Sequence, residues 1–135
     1  MPEIKVPADV ERIVDVLQFI NETMCEAGAE GKQSNNINIA VEEVFVNIAN
    51  YAYLSGDGYV IISVDITADI ITIEFIDSGK PYNPLLKDDP DITLSAEERE
   101  IGGLGVFLVK NIMDNVSYRY EGGRNILTIS KKLDS

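Results

Sequence analysis

The chain has 135 residues, 45% of them hydrophobic and 25% charged, which predicts a single globular domain spanning residues 1–135. Its formal net charge of −12 argues against binding to duplex nucleic acid or to an anionic membrane, because both require a basic surface. The sequence contains no histidine, which excludes histidine-based catalysis and a phosphohistidine relay carried by this chain.

The first half of the chain is predicted to form a short strand and two helices. Residues 4–6 have strand character, Asp9 suits a helix N-cap, and Gly28 suits a helix C-cap. A second helix is expected from about residue 34 to a point before residue 56. Its apolar residues recur at steps of three and four, namely Ile37, Ala40, Val41, Val44, Phe45, Ile48, Ala49 and Ala52.

The second half is predicted to contain two hairpins, a long loop and one helix. Strands are expected over 59–67, 70–76, 116–120 and 126–131, with turns at Ala68-Asp69 and Gly122-Gly123. Residues 77–105 form a long loop with a short helical turn at 96–99, followed by a helix marked by Val106, Phe107, Val109, Ile112 and Met113. This order predicts the α+β class, as a two-layer α/β sandwich. Its sheet is expected to be mixed and mostly antiparallel, packed on about three helices.

The single cysteine, Cys25, lies in the first predicted helix and is expected to be a small buried residue. A lone cysteine can form no internal disulfide. The sequence shows no basic leader with an apolar run and no stretch of about 18 apolar residues, so we expect a cytoplasmic protein.

Three constellations could carry chemistry, and the first lies on the second helix. Glu43 and Asn47 are four residues apart and share one helix face, with Asn50 on the same polar flank. The flank borders the apolar stripe, so the pair is expected at the rim of the core. An amide oxygen is a suitable ligand for Mg²⁺, and a carboxylate can orient or deprotonate a hydroxyl. A solvated helix face would give the same spacing.

The second constellation is Asp77 and Gly79, directly after an apolar strand. A carboxylate at the end of a buried strand needs partners, and it could accept a hydrogen bond from an exocyclic amine such as that of adenine. Gly79 would let the chain turn or let a flat ring approach the backbone. A plain turn that closes the strand is the alternative.

The third constellation is the run Gly102-Gly103-Leu104-Gly105, immediately before the third helix. Glycines at a helix N-terminus expose backbone amides and the positive end of the helix dipole, which suits a phosphate in a chain with few cations. The run is not a Walker loop, because no Gly-Lys-Ser/Thr follows. A flexible hinge is the alternative.

Taken together, the order and setting of these motifs resemble those of the GHKL ATPases, which include gyrase and the histidine kinases. Within that group the chain is similar to the short anti-sigma-factor serine/threonine kinases. The resemblance lies in residues 40–47, 77–84, 98–114 and 123–128 and covers nearly the whole chain. It implies the Bergerat, or GHKL-type, ATP-binding fold.

The resemblance also implies a role for each matching residue. Glu43 would be the general base toward a protein hydroxyl, and Asn47 would ligate Mg²⁺ on the phosphates of ATP. Asp77 would bind the adenine amino group, Gly79 would shape that pocket, and residues 85–101 would form a lid. The remaining cofactor-binding residues would be Asn50, near the ribose or phosphates, and Gly103, Leu104 and Gly105, along the phosphates.

The implied function is an ATP- and Mg²⁺-dependent serine/threonine kinase that phosphorylates an anti-sigma-factor antagonist and regulates a sigma factor by partner switching. Such proteins are often homodimers. The sequence departs from the family pattern at two positions: Pro81 stands where many relatives have glycine, which the kinase-like subgroup accepts, and Ile101 stands where some kinases have a basic residue that would assist phosphoryl transfer. Lys87, Arg99 and Lys110 are the candidates to neutralise the γ-phosphate. A nucleotide-gated protein-binding module without transfer is the alternative function.

Overall fold

The computed structural model describes residues 2–28, 31, 33–51, 58–81, 83 and 103–133. The predicted helical turn at 96–99 and the predicted lid at 85–101 lie outside these residues. The elements in chain order are β1 (Glu3–Pro7), a 3₁₀ turn (Val10–Arg12), α1 (Ile13–Glu26), α2 (Ser34–Tyr51), β2 (Tyr59–Thr67), β3 (Ile70–Asp77), α3 (Gly103–Ile112), β4 (Asn115–Glu121) and β5 (Arg124–Lys132).

Both predicted caps of the first helical segment are present. The Asp9 carboxylate accepts a hydrogen bond of 3.0 Å from the backbone N–H of Glu11 and so starts the 3₁₀ turn that leads into α1. At the other end Gly28 has a φ of 68°, and its N–H donates to the carbonyl of Cys25. Local sequence signals therefore determine both ends of this segment.

The five strands form one sheet in the order β1-β2-β3-β5-β4. Every pairing among the described residues is antiparallel, which agrees with the predicted α+β sandwich and its mostly antiparallel sheet. The two hairpins are closed by two-residue turns, Ala68-Asp69 and Gly122-Gly123, and all four turn residues have positive φ.

The core lies between one face of the sheet and the helices. Alternate residues of β2 and β3 are buried on this face, and the apolar stripe of α2 packs against them. Among the described residues, the largest fully buried side chains include Phe45, Phe75, Ile20, Met24, Ile37, Ile62, Ile71, Ile73 and Ile129. The helix-facing side of β3 is thus apolar up to Asp77, its last residue.

The expectation of a buried cysteine is wrong, because Cys25 is exposed. The buried residues of α1 are Val16, Ile20 and Met24, which repeat every four residues. One residue further along a helix is a rotation of about 100°, which turns Cys25 away from that stripe. For the same reason Val14, two residues before the stripe begins, is 69% exposed. No helix among the described residues has the length and apolar character needed to cross a membrane.

Candidate nucleotide site

The polar flank of α2 lies at the edge of the core, as its spacing predicts. Asn47 is buried, with 7% of its surface exposed, and Glu43 one turn earlier is half-buried. Asn50, one turn later, is exposed. Burial therefore changes along one helix face, and Asn47 is the member that the protein withdraws from water.

Partial burial changes the acidity of Glu43. Loss of solvation raises the pKa of this carboxyl above its ordinary value, and the neighbouring negative charge of Glu42 raises it further. A carboxylate whose pKa moves toward neutrality accepts a proton more readily, which suits a general base.

The side-chain oxygen of Asn47 is a buried acceptor without a hydrogen-bond partner among the described residues. A buried acceptor left unpaired costs about 1–3 kcal/mol, so proteins rarely keep one without a reason. An amide oxygen is a ligand type that Mg²⁺ accepts, usually together with phosphate oxygens and water. The donor at this position therefore fits the metal that the sequence predicts.

Asp77 ends β3 with only 5% of its surface exposed. Its Oδ1 accepts a 2.9 Å hydrogen bond from the backbone N–H of Gly79, which closes the predicted turn. Burial raises the pKa of the Asp77 carboxyl, while the hydrogen bonds from Asn125 and Gly79 lower it in part. The turn and the buried acceptor, which the sequence offers as alternatives, thus exist together.

Sequence reasoning missed the second partner of Asp77, which is Asn125. The Nδ2 of Asn125 donates to Asp77 Oδ1 at 2.9 Å and to the carbonyl of Lys80 at 2.9 Å. The hydroxyl of Tyr118 donates to Asn125 Oδ1. A sequence signal was available, because Asn125, Leu127 and Ile129 alternate along β5 and a polar residue in that core-facing series needs a partner.

Helix α3 begins at Gly103, so Gly103, Leu104 and Gly105 form its first turn. The helix packs against α2 and buries Val109 in the core. Lys110, one of the predicted partners of the γ-phosphate, is half-buried on α3, whereas Lys87 and Arg99 lie outside the described residues. The prediction that the glycine run precedes the helix is therefore wrong for its last three residues, because they lie inside it, and the helix neighbours the one that carries Glu43 and Asn47.

The structure brings some of the predicted residues together directly and others only by packing. Asp77 and Gly79 share a hydrogen bond, and Glu43, Asn47 and Asn50 share a face of α2. Within the described part of the chain, no hydrogen bond joins the α2 side chains to Asp77.

A cavity of about 290 Å³ also borders Asp77, but it opens mainly on the face of the sheet that points away from the helices. Ile61 and Ile76 belong to that face because they alternate with the buried residues of β2 and β3. The remaining lining residues are Lys5, Gly58, Tyr59, Ser78 and Arg124. This cavity is separate from the side of the sheet on which α2 and α3 pack.

An antiparallel sheet covered by helices on one face, with a buried carboxylate at a strand end and a buried amide on a neighbouring helix, is the arrangement expected of the ATP-binding α+β domains that the sequence resembles. The family model of the histidine kinase-like ATPase domain matches residues 6–131. The chain belongs to this family.

Two curated relatives are similar to this chain over most of their own length. The serine-protein kinase RsbW of Staphylococcus aureus (strain JH9) is 30% identical over 135 aligned residues, which cover 92% of this chain and 82% of the relative. The serine-protein kinase RsbW of Bacillus mycoides (strain KBAB4) is 26% identical and covers 93% and 81%.

Solved structures share the fold at low identity. The structure of the RsbU and RsbW domains of Rv1364c from Mycobacterium tuberculosis superposes with a TM-score of 0.65 at 16% identity, over 98% of this chain and 33% of that one. This chain thus spans one third of that protein. A blue-light activated histidine kinase domain from Erythrobacter litoralis gives a TM-score of 0.55 at 16% identity, over 75% of this chain and 45% of that one.

Proposed function

We propose that the protein is an ATP- and Mg²⁺-dependent serine/threonine kinase that phosphorylates a small protein, with Glu43 as general base. The observation that supports it most is the buried, unpartnered oxygen of Asn47 one helical turn from the half-buried Glu43. The relatives named serine-protein kinase RsbW favour the same activity.

Each residue has a defined part in this proposal. Asn47 would hold Mg²⁺ through Oδ1, and Mg²⁺ supplies neutralisation of phosphate charge when it is bound. Asp77 would accept a hydrogen bond from the adenine amino group through its carboxylate, and Gly79 would keep that strand end turned. The first turn of α3, at Gly103, Leu104 and Gly105, would offer backbone N–H groups to the phosphates, with Asn50 near the ribose or phosphates.

The proposed transfer follows from the position of the base. Glu43 takes the proton of the acceptor hydroxyl, and the hydroxyl oxygen forms a bond to the γ-phosphorus. The bond from that phosphorus to the bridging oxygen of ADP breaks, and ADP leaves with the electron pair. The raised pKa of Glu43 assists the first step, because it makes the carboxylate a stronger proton acceptor.

Glu43 and its neighbour Glu42 provide a matched test. Glu43→Ala should slow phosphorylation by about 10²- to 10⁴-fold and leave ATP affinity nearly unchanged. Glu42→Ala removes the same charge from an exposed position and relieves only the smaller of the two effects that raise the pKa of Glu43, so it should lower the rate by less than about threefold. The assay uses γ-labelled ATP with a purified anti-sigma-factor antagonist, and affinity is measured by calorimetry.

The outcomes separate the two candidate functions. Equal rates for the two variants would remove Glu43 from the mechanism. A wild-type chain that binds Mg-ATP without transferring phosphate would be the nucleotide-gated binding module. No binding at millimolar ATP would exclude both.

The regulatory role is also part of the proposal. By its resemblance to the anti-sigma-factor kinases, the protein would be a cytoplasmic homodimer. It would bind a sigma factor and exchange it for the antagonist according to whether ATP or ADP is bound. Size-exclusion chromatography with light scattering, on the chain alone and mixed with a purified sigma factor and antagonist, measures both assembly and exchange. Identical complexes in ATP and ADP would contradict nucleotide-dependent exchange.

A further inference from the structure

The hydrogen bonds among the described residues around Asp77 assign an orientation to the side-chain amide of Asn125. The Nδ2 of Asn125 faces two acceptors, Asp77 Oδ1 and the carbonyl of Lys80, and both contacts are 2.9 Å. Its Oδ1 faces the hydroxyl of Tyr118, which donates to it. Reversing the amide would place an oxygen against two acceptors, so the network permits one arrangement.

The same network fixes the Asp77 carboxylate. Both hydrogen bonds that the described residues donate to it reach Oδ1, one from Gly79 N–H and one from Asn125 Nδ2. Asn125 is itself buried, with 5% of its surface exposed, and its Cα is the register partner of Asp77 across β3 and β5. Because Oδ1 accepts two hydrogen bonds, turning the carboxylate would break both, so Oδ2 is held in one direction.

We infer that Asn125 is a positioning residue that holds Asp77 as a fixed hydrogen-bond acceptor, so that the site selects a purine carrying an exocyclic amino group over one carrying a keto oxygen. This inference rests on the proposed nucleotide site. An amino group donates to a fixed acceptor, whereas a keto oxygen would face it with like partial charge. Tyr118 contributes by holding Asn125 in the productive orientation.

The effect of Asn125 on the pKa of Asp77 supports the same role for Asn125. Burial favours the protonated form of Asp77, and the hydrogen bond from Asn125 opposes this by stabilising the carboxylate. A protonated Asp77 could donate to a keto oxygen and would accept less well from an amine. Asn125 therefore maintains both the direction and the charge on which the selection depends.

The test compares ATP with inosine triphosphate, which has the same sugar and phosphates but a keto oxygen in place of the amino group. Asn125→Asp keeps the size of the side chain and places a second carboxylate against Asp77. Wild type should bind ATP at least about tenfold more tightly than inosine triphosphate. In the variant that ratio should fall at least about fivefold. The pH midpoint at which ATP binding weakens should rise by roughly one unit, because like charges favour protonation.

The matched control is Asn115→Asp, which adds the same charge at an exposed position of β4, paired with Ser130 at the other end of the hairpin. It should keep the wild-type ratio and pH midpoint. A purely structural role for Asn125 would weaken the binding of both nucleotides equally and leave their ratio as in wild type, and that result overturns the inference.

Tyr118→Phe is the second variant, for the case in which Asn125→Asp does not fold. Loss of the hydroxyl removes one of the contacts that hold the Asn125 amide, so its hydrogen bond to Asp77 should loosen and the nucleotide ratio should fall in the same direction by a smaller factor. An unchanged ratio in Tyr118→Phe overturns the inference. Wild type that binds neither nucleotide overturns the site itself. Wild type that prefers ATP, combined with unaltered variants, leaves the site standing and removes only the role of Asn125.

Discussion

The Nζ of Lys131 donates a 2.8 Å hydrogen bond to the backbone carbonyl of Ile112, so strand β5 holds the last residue of α3. Lys131 is nearly buried, and its Nζ also lies 3.9 Å from the Asp114 carboxylate. A positive charge at a helix C-terminus is favourable because the last carbonyls carry partial negative charge. One strand therefore contacts both Asp77, through Asn125, and the helix that starts with the glycine run.

Replacing Lys131 by Met tests this connection. Lys131→Met keeps the aliphatic stem but removes the donor and the charge, and it should lower the free energy of unfolding by about 1–2 kcal/mol. Lys132→Met, at the exposed neighbouring position, should change it by less than about 0.5 kcal/mol. Urea denaturation of the two variants measures the difference, and equal stability would show that the Lys131 contact contributes nothing.

The turn at Ala68-Asp69 predicts a stabilising substitution. Ala68 has a φ of 53°, which lies in the left-handed region. This backbone conformation costs most residues about 1–2 kcal/mol, whereas glycine and asparagine adopt it more readily. Ala68→Asn should therefore raise the free energy of unfolding by about 0.5–1 kcal/mol, as thermal or urea unfolding would measure. Ala27→Asn, at an exposed residue with a φ of −86°, should give no comparable gain.

The hairpin of β4 and β5 allows the opposite test, in which glycine is removed from a position with positive φ. Gly122 has a φ of 61°, and a Cβ built on it would meet nothing within 4 Å. Any cost of Gly122→Ala is therefore conformational, and we expect a loss of about 1 kcal/mol. If Ala68→Asn destabilised the protein while Gly122→Ala were neutral, positive φ would not be what limits these turns.

The sequence predicted the elements and the fold class because periodicity and turn chemistry are local properties. The face of α2 that carries Asn47 follows from the apolar stripe beside it, and the end of β3 at Asp77 follows from alternation. The prediction for Cys25 is wrong, since an apolar residue type does not determine on which side of a helix the residue lies.

Contacts between distant residues could not be predicted in the same way. Asn125 lies 48 positions from Asp77 in the chain, and Lys131 lies 19 positions from Ile112. Both contacts depend on the register of β5 against its neighbours, which the sheet as a whole determines. The sequence thus identified the chemical groups of the candidate site, whereas the side chains that orient them required the structure.

Asn47 gives a test of the metal. Asn47→Ala removes the buried unpaired oxygen, so Mg²⁺ should no longer strengthen ATP binding, while affinity in EDTA should stay as in wild type. Asn36→Ala, on the exposed first turn of the same helix, should retain the full effect of Mg²⁺. Calorimetry with and without EDTA gives both affinities. A persistent Mg²⁺ effect in Asn47→Ala would assign the metal to other ligands.

The buried carboxylate of Asp77 should lower the stability of the protein without nucleotide and strengthen its binding of ATP. In Asp77→Asn the amide oxygen can still accept from Gly79 and Asn125, but no charge is buried. We therefore expect the variant without nucleotide to be more stable than wild type by about 1 kcal/mol at neutral pH. ATP affinity should fall at least about tenfold, since part of the acceptor becomes a donor. Glu3→Gln, which removes an exposed carboxylate, controls for the change in net charge.

The stability difference should also depend on pH with a defined sign. The pKa of Asp77 is raised in the folded protein, so the native state binds this proton more tightly than the unfolded chain. Wild-type stability relative to Asp77→Asn should therefore fall as pH rises from the ordinary carboxyl range through the raised pKa, and then stay constant. Urea unfolding of both proteins across this range measures the difference. A gap that widened toward acid pH would mean that the native protein stabilises the Asp77 carboxylate, and that its burial carries no penalty.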